Sequence, residues 1–253
     1  MAANTLQTVL ADVEQHSLGR SLVLHLLPGL LILAFFVAIA PLVVSLGYPS
    51  LMALLLAITV VLIPLELGYL LYLGYRANGR LSLQGIVVYR EPTPFWQRVL
   101  MALLLWGWAG LGIAVTGPVD KVLIERFFSW LPEWFFINGF VAHAGDYSRQ
   151  ALWTTWIVGM VFNGVLGPWV EELYFRGYLL PRLAWLKGWA PAVSVLLFSL
   201  YHFFTPWQNV GRIVAFGPMV YTVWRKKDIR IGLFSHMLGN VSGLLGWVGL
   251  LLR

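Results

Sequence analysis

Residues 21–46, SLVLHLLPGLLILAFFVAIAPLVVSL, contain no Asp, Glu, Lys or Arg. A helix needs about 20 apolar residues to cross the hydrocarbon core of a bilayer, and within lipid it satisfies its own backbone hydrogen bonds. Comparable stretches recur at 50–75, 97–116, 189–205, 208–224 and 229–252. The region 151–185 is too long for one straight span and is interrupted at Gly167-Pro168. A span over 151–166 is therefore expected, then a second helix beginning near Pro168, because proline loses nothing in a first helical turn. The expected fold class is all-α, a polytopic transmembrane bundle of seven or eight membrane helices.

Composition agrees. Charged residues make up 11% of the 253, against 59% hydrophobic, where soluble domains are about 25% charged. Cysteine is absent, which excludes disulfides, a thiol nucleophile and the cysteine-rich zinc sites. The net charge of +6 does not point to nucleic acid, because the basic residues cap hydrophobic segments. There they read as orientation signals. Threading the spans alternately puts twelve of the seventeen on one side, from Arg20 to Arg230, and leaves Lys121, Arg126, Arg149, Arg212 and Arg253 on the other. The richer side is expected to be cytoplasmic, with the N-terminus inside and the C-terminus outside.

Three regions are expected. Residues 1–20 lack a basic n-region and carry Asp12 and Glu14 where a signal peptide is apolar. They read as a short amphipathic helix on the membrane surface, with Leu6, Val9, Leu10 and Val13 on one face. Residues 21–150 hold the N-terminal membrane helices, a polar connection at 76–96 and an aromatic-rich interfacial segment within 117–150. Residues 151–253 carry the chemistry.

Ionisable groups inside a membrane cost at least about 2.5–3.5 kcal/mol at mid-helix, so the few present are candidates for function. They are Glu66, Glu171, Glu172, Arg176, His202 and His236, then His25 and Arg212, with Asn240 as a neutral partner. Three i, i+4 pairs stand out: Glu172 with Arg176, Phe198 with His202, and His236 with Asn240. A helix starting at Pro168 would set Glu171 and Glu172 in its first turn, where the helix dipole favours negative charge. If 168–185 and 189–205 form a helical hairpin turning near 187, Glu171 and His202 lie level. His236 falls shallower, about 10 Å into its helix. Taken singly these groups have plain readings: an ion pair for Glu172 and Arg176, a satisfied core histidine for His202, structural roles for Glu66, His25 and His143. Convergence of two carboxylates, two imidazoles and an amide is harder to assign to packing.

The chemistry such a set performs is water activation. A desolvated glutamate serves as general base, a histidine orients the water, and an amide with a second imidazole stabilises an oxyanion. A serine triad is weak, because Ser199 and Ser235 neighbour their histidines rather than share a face with them and GxSxG is missing. Glu171, His202 and His236 also form a possible two-histidine, one-carboxylate zinc set. That zinc-dependent version stays open on residue types, though a reading with no cofactor is preferred.

EELYFR, FSLYH and HMLGN (residues 171–176, 198–202 and 236–240), in this order on successive membrane helices, resemble the EExxxR, FxxxH and HxxxN motifs of the CPBP family. This is the CAAX-protease and bacteriocin-processing family of intramembrane glutamic endopeptidases, also called Abi or Rce1-like. The resemblance covers residues 151–250. It implies that Glu171 activates water with His202, that His236 and Asn240 form the oxyanion site, and that Glu172, Arg176 and Phe198 support them. It implies a membrane-associated peptide or lipidated, CAAX-like protein as substrate, and a cavity open to the cytosol. The expected location is the plasma (inner) membrane of a prokaryote; oligomeric state is not indicated. The competing reading is a non-catalytic immunity or chaperone-like module on the same scaffold. A proton-coupled transporter using Glu66 and Glu171 is weaker still, for want of paired broken helices.

Overall fold

The computed structural model describes residues 13–91 and 93–252, so the amphipathic helix expected over 1–20 lies almost wholly outside the described residues. Helix α1 is Leu18–Ser45, α2 is Leu51–Asn78 and α3 is Phe95–Phe128. Helix α4 runs continuously over 149–179. After the 3-10 run Leu180–Trp189 come α5 (Ala190–Tyr201), α6 (Asn209–Lys226), α7 (Ile229–Leu245) and the short α8 (Val248–Leu251). Among the described residues there is no strand, only an isolated bridge between Arg90 and Asp228. The all-α class is as expected. Leu18–Ser45, Leu51–Asn78, Phe95–Phe128 and the run Arg149–Tyr201 are long and apolar enough to cross a membrane. Their outward faces expose large apolar side chains, among them Val23 and Leu30 on α1 and Leu104 and Val115 on α3. Apolar surface this extensive is what hydrocarbon covers, and the chain is an integral membrane protein.

The expected break at Gly167-Pro168 does not occur. Both residues lie inside α4, and the helix accommodates the proline by widening. Over Met160–Leu166 the ladder is of the π type, with the Gly167 N–H donating to the Phe162 carbonyl five residues back. An α-helical interior clashes with a proline ring and loses a bond there; the wider turn absorbs both faults. Glu172–Leu179 is a second π segment, closed by the Leu180 N–H on the Phe175 carbonyl. Glu171 and Glu172 are thus deep in a long helix, and the expected stabilisation by a helix N-terminus is absent.

The connection expected at 117–128 is helical, since α3 continues through Pro118 to Phe128. The opposite correction applies to the span expected at 189–205. Helix α5 stops at Tyr201, because Pro206 cannot continue a helix and forces the residue before it out of the α region. Thr205 accordingly has φ −145° and ψ 59°. Twelve residues make a helix of about 18 Å, well short of a bilayer of about 30 Å. His202 sits where this half-length helix ends, at φ −81° and ψ 56°.

The basic loops gather at one end of the bundle. The His16 N–H donates to the Arg182 carbonyl, Val88 N–H to Gly177, and Glu91 N–H to Lys227. Asp228, fully buried, takes Arg98 at 3.3 Å and Arg230 at 2.6 Å. Gly177 permits the closest approach here: a Cβ on it would lie 2.6 Å from Val87 Cγ1. At the other end, residues 129–148 form short 3-10 turns whose aromatics pack on the cavity roof, Phe135 and Phe136 against Trp207 and Phe140 against Trp247.

Candidate active site

Helices α4, α5 and α7 supply the expected residues, and they separate into two layers. Glu171, His202, His236 and Asn240 all line one cavity of about 430 Å³. Glu172, Arg176 and Phe198 lie behind it, each almost fully buried. The depth mismatch expected for His236 disappears because α4 ends at residue 179. Measured from there, Glu171 is about 12 Å in, close to the roughly 10 Å of His236 from the start of α7.

His236 joins the two layers. Its Nδ1 is 3.0 Å from Glu172 Oε1 and its Nε2 is 3.7 Å from Glu171 Oε2. Glu172 Oε1 is also 3.2 Å from Arg176 Nη1. Gly232, one turn before His236 on α7, makes room for this contact: a Cβ there would meet Glu172 Oε2 at 2.5 Å. The Arg176 guanidinium lies over the Phe198 ring, 4.0 Å from its centroid. The same ring meets His202 edge-on at 4.9 Å and His236 at 6.2 Å. His202 Nδ1 is 2.8 Å from the Phe198 carbonyl, which leaves Nε2 free. Asn240 Nδ2 donates to the Asn163 carbonyl at 2.8 Å, so one amide N–H is anchored and the other is free.

Further residues near the cavity were given no catalytic role by the sequence. Glu66, read as structural, is fully buried beside Glu171. The Tyr201 hydroxyl lies next to its carboxylate. Asn163 and Arg212 also line the cavity, and Arg212 donates to the Thr205 carbonyl, Gln208 and Asn209, bracing the turn that follows His202. Phe216 packs edge-on to His236 at 4.9 Å; a lone apolar residue in an apolar chain gives no hint of this. His25 keeps its structural reading, with Nδ1 2.7 Å from the Ser21 carbonyl. His143 lies exposed in the 129–148 segment and does not line the cavity. Among the described residues no three His, Asp or Glu side chains are grouped as metal ligands.

The cavity is set away from the basic end of the bundle. None of its lining residues comes from the basic segments 76–98, 180–189 or 225–231. At that end it is closed by Glu172, Phe175, Arg176 and Phe198, all 1% exposed or less. Its exposed lining residues are Asn138 and Val141 in the 129–148 segment, Ile113 on α3 and Gly243 on α7. A second hollow, of about 410 Å³, adjoins it and shares Asp120, Ile137, Asn138 and Gln208.

Neither the curated proteins nor the solved structures contain a significant match to the chain. A family model does match: that of the type II CAAX prenyl endopeptidase Rce1-like proteins, over residues 152–242. The matched segment contains all three motifs together with Glu171, His202, His236 and Asn240, and over this segment the chain is similar to the Rce1-like CAAX-type proteases.

Proposed function

We propose that the chain is an intramembrane glutamic endopeptidase that hydrolyses a peptide bond of a membrane-associated substrate with water activated by Glu171 and His202. The observation that carries this reading is the two-layer arrangement: four chemically competent side chains around one cavity, with their braces behind them. In the reaction, Glu171 takes a proton from water while the free Nε2 of His202 orients it. The water oxygen bonds to the scissile carbonyl carbon. The free N–H of Asn240, with His236, stabilises the oxyanion, the type of donor pair that contributes most in acyl transfer. The proton on Glu171 then passes to the leaving nitrogen as the C–N bond breaks.

This scheme uses no metal: the proton moves between water, Glu171 and the leaving nitrogen. Lipidation of the substrate is compatible with the apolar wall formed by Ile32, Leu54, Ile58 and Leu62. The basic end of the bundle lies in the cytoplasm in this reading.

The test is hydrolysis of a fluorogenic peptide by the purified protein in detergent. Glu171→Gln and His202→Ala are each expected to lower kcat by about 10²–10⁴, the usual contribution of general acid–base catalysis. Full activity in both variants removes the mechanism.

A further inference from the structure

Behind the catalytic cavity, on the far side of Glu172, lies a separate hollow of about 320 Å³. Arg90, Trp169, Glu172, Arg230 and Leu233 line it, and it shares no lining residue with the 430 Å³ cavity. Arg90 and Trp169 are exposed, whereas Glu172 is 1% exposed. The two oxygens of Glu172 have different surroundings. Oε1 is 3.0 Å from His236 Nδ1 and 3.2 Å from Arg176 Nη1. Oε2 has no hydrogen-bond partner among the described residues. A buried carboxylate oxygen left unpaired is costly, and a hollow on its own side is the route by which water reaches it.

His236 stands between this hollow and the catalytic cavity, with Nδ1 at Glu172 and Nε2 3.7 Å from Glu171 Oε2. A neutral imidazole has one N–H. While Glu172 is a carboxylate and takes that N–H from Nδ1, Nε2 is bare and has nothing to donate to an oxyanion. Shifting one proton across the ring changes both sides together. The Glu171 O–H breaks as Nε2–H forms, and Nδ1–H breaks as the Glu172 O–H forms. Glu171 is then a carboxylate, able to act as base, and His236 presents an N–H where the oxyanion develops.

We propose that the 320 Å³ hollow is an aqueous proton port, through which water exchanges a proton with Glu172 and so sets the nitrogen on which His236 carries its own. Glu172 is a positioning residue acting through His236. The inference deepens the peptidase reading and takes its kinetic readout from it. The charged and titratable groups facing the pair are Arg176 on α4, Arg90 and Arg230 across the hollow, and Glu171 on the cavity side. Glu66 and Tyr201 stand beside Glu171, and Arg230 is itself held by Asp228. Loss of the proton from Glu172 into the hollow removes the Nε2–H and ends activity on the alkaline side.

The chain has no cysteine, so Leu233→Cys, which lines the hollow outside the catalytic machinery, can be modified without background. The purified variant is treated with methanethiosulfonate reagents that add a trimethylammonium, a sulfonate or a neutral methyl group. Peptide hydrolysis is then followed against pH. The cationic adduct favours loss of the proton and is expected to move the alkaline limb to lower pH. The anionic adduct is expected to move it higher, each by about one pH unit, the Coulomb effect of a charge roughly 12 Å away at an effective dielectric of about 20. The neutral adduct is expected to leave the limb in place. Failure of the thiol to react, or the same change with all three reagents, overturns the proposal. Trp169→Cys, at the exposed rim, gives the same readout if Leu233→Cys does not fold. Absence of hydrolysis by the unmodified protein removes the peptidase reading instead. The ring-nitrogen resonances of His236, titrated with and without each adduct, then decide the port by themselves: opposite displacements support it and none overturns it.

Discussion

Phe198 explains why an apolar residue belongs to a constellation of charges. The nitrogens of Arg176 lack aligned hydrogen-bond partners, so its charge is balanced by Glu172 at 3.2 Å and by the face of the Phe198 ring. A desolvated cation–π contact is worth about 2 kcal/mol. Phe198→Leu keeps most of the volume and loses the π face, and is expected to lower kcat roughly ten-fold, since each 1.36 kcal/mol is a factor of ten. An unchanged rate would reduce Phe198 to filler. Asn240→Ala is expected to lower kcat by about 10² while KM holds, as for other oxyanion donors. A raised KM with unchanged kcat would assign the amide to substrate binding instead. The charged and polar partners were legible because each has a helical-spacing companion and stands out against an apolar chain. Glu66, Tyr201 and Asn163 have no such companion, and only the packing of distant helices brings them to Glu171 and Asn240.

At the scale of the elements, two prolines reverse their expected parts. Pro168 looked like the start of the catalytic helix and is carried inside it by a π turn. Pro206, which drew no attention, ends α5 in mid-membrane and so positions His202. Proline forbids an α-helical N–H but leaves open whether the chain breaks or widens, and packing makes that choice. Gly177 illustrates the packing constraint on α4. Gly177→Ala is expected to cost about 1–3 kcal/mol from overpacking against Val87, read as a lower thermal midpoint in detergent. Val87→Ala should recover part of that loss in the double variant. Purely additive losses would mean that the contact is not what excludes a side chain at 177.

The whole molecule depends on its basic end being closed. Among the described residues, His16 is buried there and neither ring nitrogen has a partner. Burial, helped by the charges of Arg20 and Arg182, lowers its pKa to about 4. A free histidine titrates near about 6.5, so between these values the unfolded chain binds a proton that the folded chain excludes. Stability is therefore expected to fall as pH drops from about 6.5 towards 4, and His16→Gln to flatten that part of the profile. A profile identical in the variant would place the sensitivity elsewhere. Asp228 acts over a lower range. Burial pushes its carboxyl up, but the side-chain and backbone hydrogen bonds from Arg230 outweigh this and hold it below the usual range. Its contribution is present above about pH 3.9 and is lost as pH falls through its lower folded value. Asp228→Asn leaves Arg98 and Arg230 without their carboxylate, a loss of about 3–5 kcal/mol when a buried pair is broken.

Membrane residence, the helical class and the motif residues followed from the sequence alone. Each depends on local quantities: the length of apolar runs, the cost of charge in lipid, and the 3.6-residue period that pairs i with i+4. Three things were decided only in three dimensions. They are the continuity of α4 through Gly167-Pro168, the premature end of α5, and the end of the bundle at which the cavity is closed. Each is a competition between local alternatives of similar energy, and the winner depends on which surfaces the other helices leave to be filled. The closed end is the clearest case. Charge distribution marks one end of the bundle as basic, but only the packing of Phe175, Arg176 and Phe198 shows that the cavity is shut there.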